Sequence, residues 1–501
     1  MLLSGVLLVV FESDYLYRVQ EQNLFLHTPL FFEQKMVTAG GLLTWTGAYL
    51  TQFLYYPMLG AGLLCLFWAF LIWLLKRTFR LSPQQMVVTL VPVACLLIAD
   101  TCLGYWIFYL KLRGYFFDAT IGTIVAVGLA WAYRSLPQKT YLRTAFVPFA
   151  TCVSYIFFGF YGLWATMLMA TMAWCFDSPR PTDSLIAVVS MVAVPFVCYY
   201  TLFHQTNIVN IFWVGLPVFA TSQGSHPAYY LPYMVLVAST MMMAVASQRS
   251  LSLNDYLKHP SLWKGVCGLF IVIAVVLFWY KDDNLHRELS MMRNIERQDW
   301  QQVLVKAKGA KGEPTRAMCI MQNLALFRLG LPAEDMLSFP KGAKHPNAPF
   351  PVRMVHTYGK LLYLQYGVPN YCYRWCMEDG VEYGWTAATL KLMVKCSLLN
   401  GETTAAQRLL NLLKKTDFHR SWAYQYEDYL HNPRLVPQDE ELRSILPLLR
   451  ADDFLTADQS QFELFLIEHI LSSPGTTYEQ QELAHRTAYY YQHNRCKLVE
   501  P

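Results

Sequence analysis

The stretch FESDYLYRVQEQNLF, residues 11–25, follows directly on the apolar start MLLSGVLLVV. Glu12 and Asp14 stand two positions apart. In an extended chain both side chains would point to one side; in a helix they would diverge. A converging carboxylate pair at a membrane surface can hold a divalent cation or serve as a general base toward a lipid-anchored substrate. Asp118 and Asp100, near the outer ends of later apolar runs, supply partner carboxylates, and an ionisable residue at membrane depth points to function. Arg18, Lys111 and Arg113 could hold phosphate oxygens, and His204 and His226 could join the same face. The plainer reading is that these residues end a span at headgroup level, with Arg18 pairing to Asp14.

The elements that must position them are apolar. Of the 501 residues, 54% are hydrophobic and 15% charged, against about 25% charged in an average soluble domain. Apolar runs at 51–75, 86–103, 119–133, 144–160, 161–176, 184–203, 228–246 and 263–280 join a stub at 2–11, and together they predict a polytopic membrane domain of about nine spans over residues 1–280. The runs 144–160 and 161–176 read as a hairpin turning at FFGFYG, where Gly159 and Gly162 permit the turn. The stretch 207–220 is interrupted by Gly215 and Pro217 and is too short to span. Cations in the loops at 76–80, 134–143 and 247–264 set these loops on the cytoplasmic side. The loop 12–50 then faces outward, with Leu24, Phe25, Leu30, Phe31 and Phe32 disposed as amphipathic interfacial helices. Gly40 and Gly41 break the chain before it re-enters. In a Gram-negative cell this is an inner-membrane protein with its C-terminal part in the periplasm.

Residues 281–501 carry most of the charge and read as a soluble, almost wholly helical domain. Trp300, Val303, Leu304 and Ala307 repeat at helical spacing, as do Ala317, Ile320, Met321 and Leu324. Pro314 suits a first helical turn, and Gly330 a stop. Asn400 and Gly401 fit the turn before a helix bearing Ala406, Leu409, Leu410 and Leu413. Helix pairs of this size predict a helical-hairpin, tetratricopeptide-like array, so the expected fold is all-α throughout. Aromatics crowd 361–385 and 422–429, read as packing between hairpins or as a groove for a peptide or glycan. The twelve cysteines form neither a CxxC nor a zinc pattern. The net charge of +5 and the lack of a basic run with interleaved aromatics argue against nucleic acid. No phosphate loop, GxSxG elbow or HExxH site is present.

An acidic residue early in the first outward loop, interfacial helices in that loop and a soluble domain beyond the last span form a layout that resembles the C-type glycosyltransferase superfamily. The resemblance covers roughly residues 1–280. It implies sugar transfer from a polyprenyl-phosphate donor at the membrane, with Asp14 matching the first-loop acid and Asp118 the second-loop acid. Glu12 would support them as a further catalytic group, and the carboxylates could take a divalent cation. The segments YLYRVQEQNLFL, AGGLLTWTGAYLTQFLYYPMLG, NLALFRLG and LLNGETTAAQRLLNLLKKTDFHRSWA resemble a group of Bacteroidota-type membrane proteins of unknown function, across both domains. Two expectations stand side by side. One is a glycosyltransferase-like enzyme with membrane lipid, a lipid-linked sugar and a glycan acceptor as partners. The other is a non-enzymatic scaffold whose helical domain binds envelope proteins.

Overall fold

The computed structural model describes residues 2–82, 85–110, 115–137, 140–175, 180–221, 224–247, 260–309, 312–330, 346–449 and 482. Their regular structure is helical, apart from a two-residue ladder pairing Ala220–Thr221 with Gly224–Ser225. Two compact units emerge. One holds Met1–Ser13 with His27–Tyr280, the other Asp14–Leu26 with Lys281–Pro501.

The chain opens with helix α1, Leu2–Glu21, and the first unit continues in apolar helices. Among the described residues, five helices are long and apolar enough to cross a membrane: Pro57–Phe79, Tyr115–Ser135, Tyr141–Phe158, Pro181–Thr201 and Pro227–Ala246. A sixth is reached when Trp263–Phe278 is counted with the helix that follows it. Several have large apolar side chains facing outward, including Leu66, Phe70, Phe149, Val197 and Phe270. That is the pattern for a surface solvated by hydrocarbon. Trp68, Trp164, Phe116 and Phe117 fill the interior, where the Trp68 indole donates to Thr120 Oγ1 at 3.1 Å.

Between α1 and Pro57–Phe79 lie two short helices, Pro29–Met36 and Gly41–Thr51. Thr28 caps the first by accepting from Phe31 N at 3.2 Å, and Pro29 occupies its first position, where a missing N–H costs nothing. Gly40, at φ +76°, makes the break between the two, and a Cβ at Gly41 would strike Lys35 O.

The predicted hairpin turns at Gly159, whose φ is +55°. Thr151 Oγ1 and Thr166 Oγ1 meet across it at 2.8 Å. Gly162 does not turn the chain; it lies in Phe160–Cys175 and lets the Ser154–Tyr155 backbone approach closely. The stretch 207–220 holds one 3-10 turn and no long helix. It seats on the hairpin, with Val214 O accepting from Phe160 N at 2.8 Å and Ile211 O accepting from the Tyr155 hydroxyl at 2.7 Å.

In the second unit helices pack on their successors in two runs, Asp283–Glu296, Trp300–Lys308 and Arg316–Arg328, and Gly359–Gln365, Pro369–Glu382, Ala387–Leu399, Thr403–Leu413 and Arg420–His431. Their starts are written in the sequence. Asp282, Asp299, Thr315 and Thr386 each cap a helix with a side-chain oxygen, and Thr386 with Thr389 forms a capping box. Thr315, rather than the neighbouring Pro314, sets the start of its helix. Gly401 turns at φ +72°. Leu390, Val394, Leu410, Leu413, Ala423 and Tyr426 form a core cluster against which Leu24 packs. The aromatics of 361–385 are mostly packing: Tyr363 meets Tyr371 edge-on at 4.7 Å, and His356 lies against Trp375 and Tyr383.

Candidate functional site

The acidic stretch near the N-terminus is helical, not extended. α1 runs to Glu21 with non-helical dihedrals at Glu12 (φ −117°, ψ 16°), so Glu12 and Asp14 do not converge as an extended strand would make them. Glu12 is buried in the first unit and accepts from the Trp279 indole N–H at 2.6 Å. Asp14 belongs to the second unit, where Arg293 donates to it at 2.5 Å while stacking 4.6 Å over the Tyr17 ring. Arg18 does not pair with Asp14; its guanidinium, 3% exposed, donates to Glu296 at 3.0 Å. Glu21 accepts from Lys391 at 3.0 Å. Gln20 meets His419 at 2.8 Å, and Asn23 O accepts from Ala387 N at 3.2 Å. These ties make residues 14–26 a helix and strap of the second unit. Burial alone would push the Glu21 carboxyl up, but Lys391, His419 and Arg18 outweigh it and bring it down to about 2.

The first unit holds a different polar centre. Asp118 stands in the first turn of Tyr115–Ser135 and is buried. The positive end of a helix dipole favours a carboxylate there. Among the described residues neither Asp118 oxygen meets a hydrogen-bond partner, and the same holds for the Tyr161 hydroxyl and the Trp164 indole N–H. Tyr161 lies within electrostatic range of both Asp118 and Asp100, and Tyr233 within range of all three. The Tyr161 ring sits where a Cβ on Gly122 would be, one turn along from Asp118. Asp100 is buried in Leu90–Thr101. Lys35, at the end of Pro29–Met36, reaches Asp118 electrostatically and lies 5.3 Å over the Phe31 ring.

Of the residues singled out from sequence, Asp100 and Asp118 each lie within electrostatic range of Tyr161 and Tyr233. Asp14 and Arg18 are engaged in the second unit. His204 is exposed, and the His226 ring packs edge-on to Trp106 at 5.4 Å. Lys111 and Arg113 lie outside the described residues. Tyr161, Trp164, Tyr233 and Lys35 escaped sequence reasoning. The signal for Tyr161 was its place beside the hairpin glycines; an aromatic within an apolar run otherwise reads as core. No group of three or more His, Cys, Asp or Glu side chains that could hold a metal ion occurs among the described residues.

Two buried acids, each within electrostatic range of the Tyr161 phenol, can accept a proton from, or hydrogen-bond to, a polar group that enters the membrane unit. Buried polar atoms without partners are few in folded proteins and call for an explanation. No curated protein and no solved structure matches the chain. Residues 1–478 match DUF6057, a family of unknown function, and the chain belongs to that family.

Proposed function

We propose that the chain is a membrane-embedded glycosyltransferase-like protein that uses a lipid-phosphate-linked sugar. The observation that carries this reading is the Asp118 carboxylate, enclosed in the membrane unit within electrostatic range of Tyr161, with both oxygens unengaged among the described residues. A general base must reach the proton it takes and must not be neutralised by a fixed partner. Asp118 meets that condition better than Asp14, whose charge Arg293 already holds. Lys35 is the cation best placed to meet a donor phosphate near Asp118. The short helices Pro29–Met36 and Gly41–Thr51 would lie at the interface and admit a lipid-borne substrate. In this reading the chain makes nine passes of an inner membrane, the two acids open to the periplasmic side, and the second unit is a tetratricopeptide-like array that recognises the acceptor.

The experiment is Asp118→Asn, assayed for sugar transfer in membranes supplied with polyprenyl-phosphate sugars. Lost transfer with unchanged thermal unfolding supports the enzyme. Transfer absent from the wild-type protein, together with capture of envelope proteins by the second unit, would favour the scaffold. That second reading draws on the exposed apolar side chains Met377, Val381 and Trp385 on and beside Pro369–Glu382.

A further inference from the structure

Three cysteines of the second unit converge. Cys372 and Cys376 stand four positions apart on Pro369–Glu382, and Cys396 stands on Ala387–Leu399, the helix packed against it. All three are fully buried. Cys372 is the middle member: its thiol is in side-chain hydrogen-bond contact with both Cys376 and Cys396. Among the described residues the three make no metal site. Thiols in such contact either pack as small hydrophobes or join in pairs.

Helix geometry chooses the pair. Residues four apart on a helix hold their Cβ atoms about 5–6 Å apart, whereas a disulfide needs about 3.5–4.5 Å. Joining Cys372 to Cys376 would distort the helix that carries both. Cys372 and Cys396 come from two helices, so no helical repeat fixes their spacing. Burial sets the time at which they could join. In the closed unit it pushes the Cys372 and Cys376 thiols well up, and the Lys360 ammonium offsets this only in part. The thiolate is the reactive form, so the closed unit is inert and the bond must form while the two helices are still open to solvent.

We propose that Cys372 and Cys396 are joined by a disulfide as the second unit folds in an oxidising compartment, with Cys376 left as a buried thiol beside the bond. The oxidising compartment is the periplasmic side proposed for this unit. The chemistry is thiol–disulfide exchange with a protein disulfide as oxidant. The Cys372 thiolate attacks that disulfide and expels one partner thiol; the Cys396 thiolate then attacks the mixed disulfide at Cys372 and expels the other. The two cysteines lose two protons and two electrons, and the oxidant leaves as a dithiol. To test this, the full chain is made in bacterial membranes, its thiols are blocked with N-ethylmaleimide under denaturing conditions at lysis, and its peptides are mapped by mass spectrometry with and without reductant. A Cys372–Cys396 cross-link that reductant splits, with Cys376 alkylated, is the expected result. Closing the loop between the two helices restrains the unfolded chain, so reduction should lower the melting temperature in detergent by about 5–10 °C. Cys396→Ala should abolish both the cross-link and the response to reductant, and Cys376→Ala neither. Alkylated Cys372 and Cys396 in the wild-type chain, or a link from Cys372 to Cys376, overturns the proposal, and neither result depends on a variant folding. Sugar transfer through Asp118 has its own assay, so the two readings fail separately.

Discussion

Replacing Glu21 with glutamine should loosen the second unit, by an amount the structure sets. Glu21 is 2% exposed and bound to Lys391 at 3.0 Å. Its carboxyl is held at about 2, against an ordinary 4.5. A difference of about 2.5 pKa units corresponds to about 3 kcal/mol of stabilisation at neutral pH, and the depth of burial leaves little solvent screening to reduce it. Because the folded carboxyl titrates below the unfolded one, this contribution is present above about pH 4.5 and is lost as pH falls toward about 2. For a unit of this size about 3 kcal/mol lowers the melting temperature by about 6–12 °C. The assay is thermal unfolding of the full chain in detergent at pH 7 and at pH 3, for wild type, Glu21→Gln, Lys391→Met and the double variant. The double variant should be less destabilised than the sum of the singles, and the gap between wild type and Glu21→Gln should narrow at pH 3. Additive single effects, or a Glu21→Gln loss under about 0.5 kcal/mol, would refute the assignment of residues 14–26 to a buried ion-pair network.

Three further outcomes are expected. Burial, and then Lys391, bring the His419 imidazole down to about 4 from 6.5; the unfolded chain therefore takes up the proton first, and stability falls as pH drops from 6.5 toward 4 by up to about 3 kcal/mol, a slope that His419→Gln should remove in thermal unfolding. Asp379→Leu strands the buried Lys360 ammonium and His356, both of which contact Asp379, and should cost about 3–5 kcal/mol in denaturant unfolding. Gly159→Ala places a Cβ against Val214 O in a left-handed backbone; it should destabilise the membrane unit by about 1–3 kcal/mol, seen as a lower melting temperature, whereas Gly384→Ala, with open space at its Cβ, should cost only the strain of its positive φ.

Where contacts are local, the sequence was legible. The hairpin at Gly159, the Asn400–Gly401 turn and the buried stripe Ala406, Leu410, Leu413 follow from spacing over a few residues. The N-terminal charges misled because their partners are far along the chain: Arg18 meets Glu296 278 positions away, and Glu21 meets Lys391 370 positions away. No periodicity reports such a pairing, and headgroup-level ends of spans carry the same residue types. The polar centre was half legible. An aspartate beside an apolar run is conspicuous, but the tyrosines and tryptophan around it are the same residue types that line any membrane helix bundle.

The ties of Asp14, Arg18 and Glu21 also set an order of events during synthesis. The ribosome releases residues 14–26 first, while Arg293, Glu296 and Lys391 follow some hundreds of residues later, so the strap must wait, with its charges hydrated, until the last helices emerge. The second unit is consequently closed by a segment made well before the rest of it. A fragment beginning at residue 281 would lack one of its own helices and would leave Glu296 and Lys391 facing an empty groove. Supplying residues 14–26 as a separate peptide should restore what that fragment is missing.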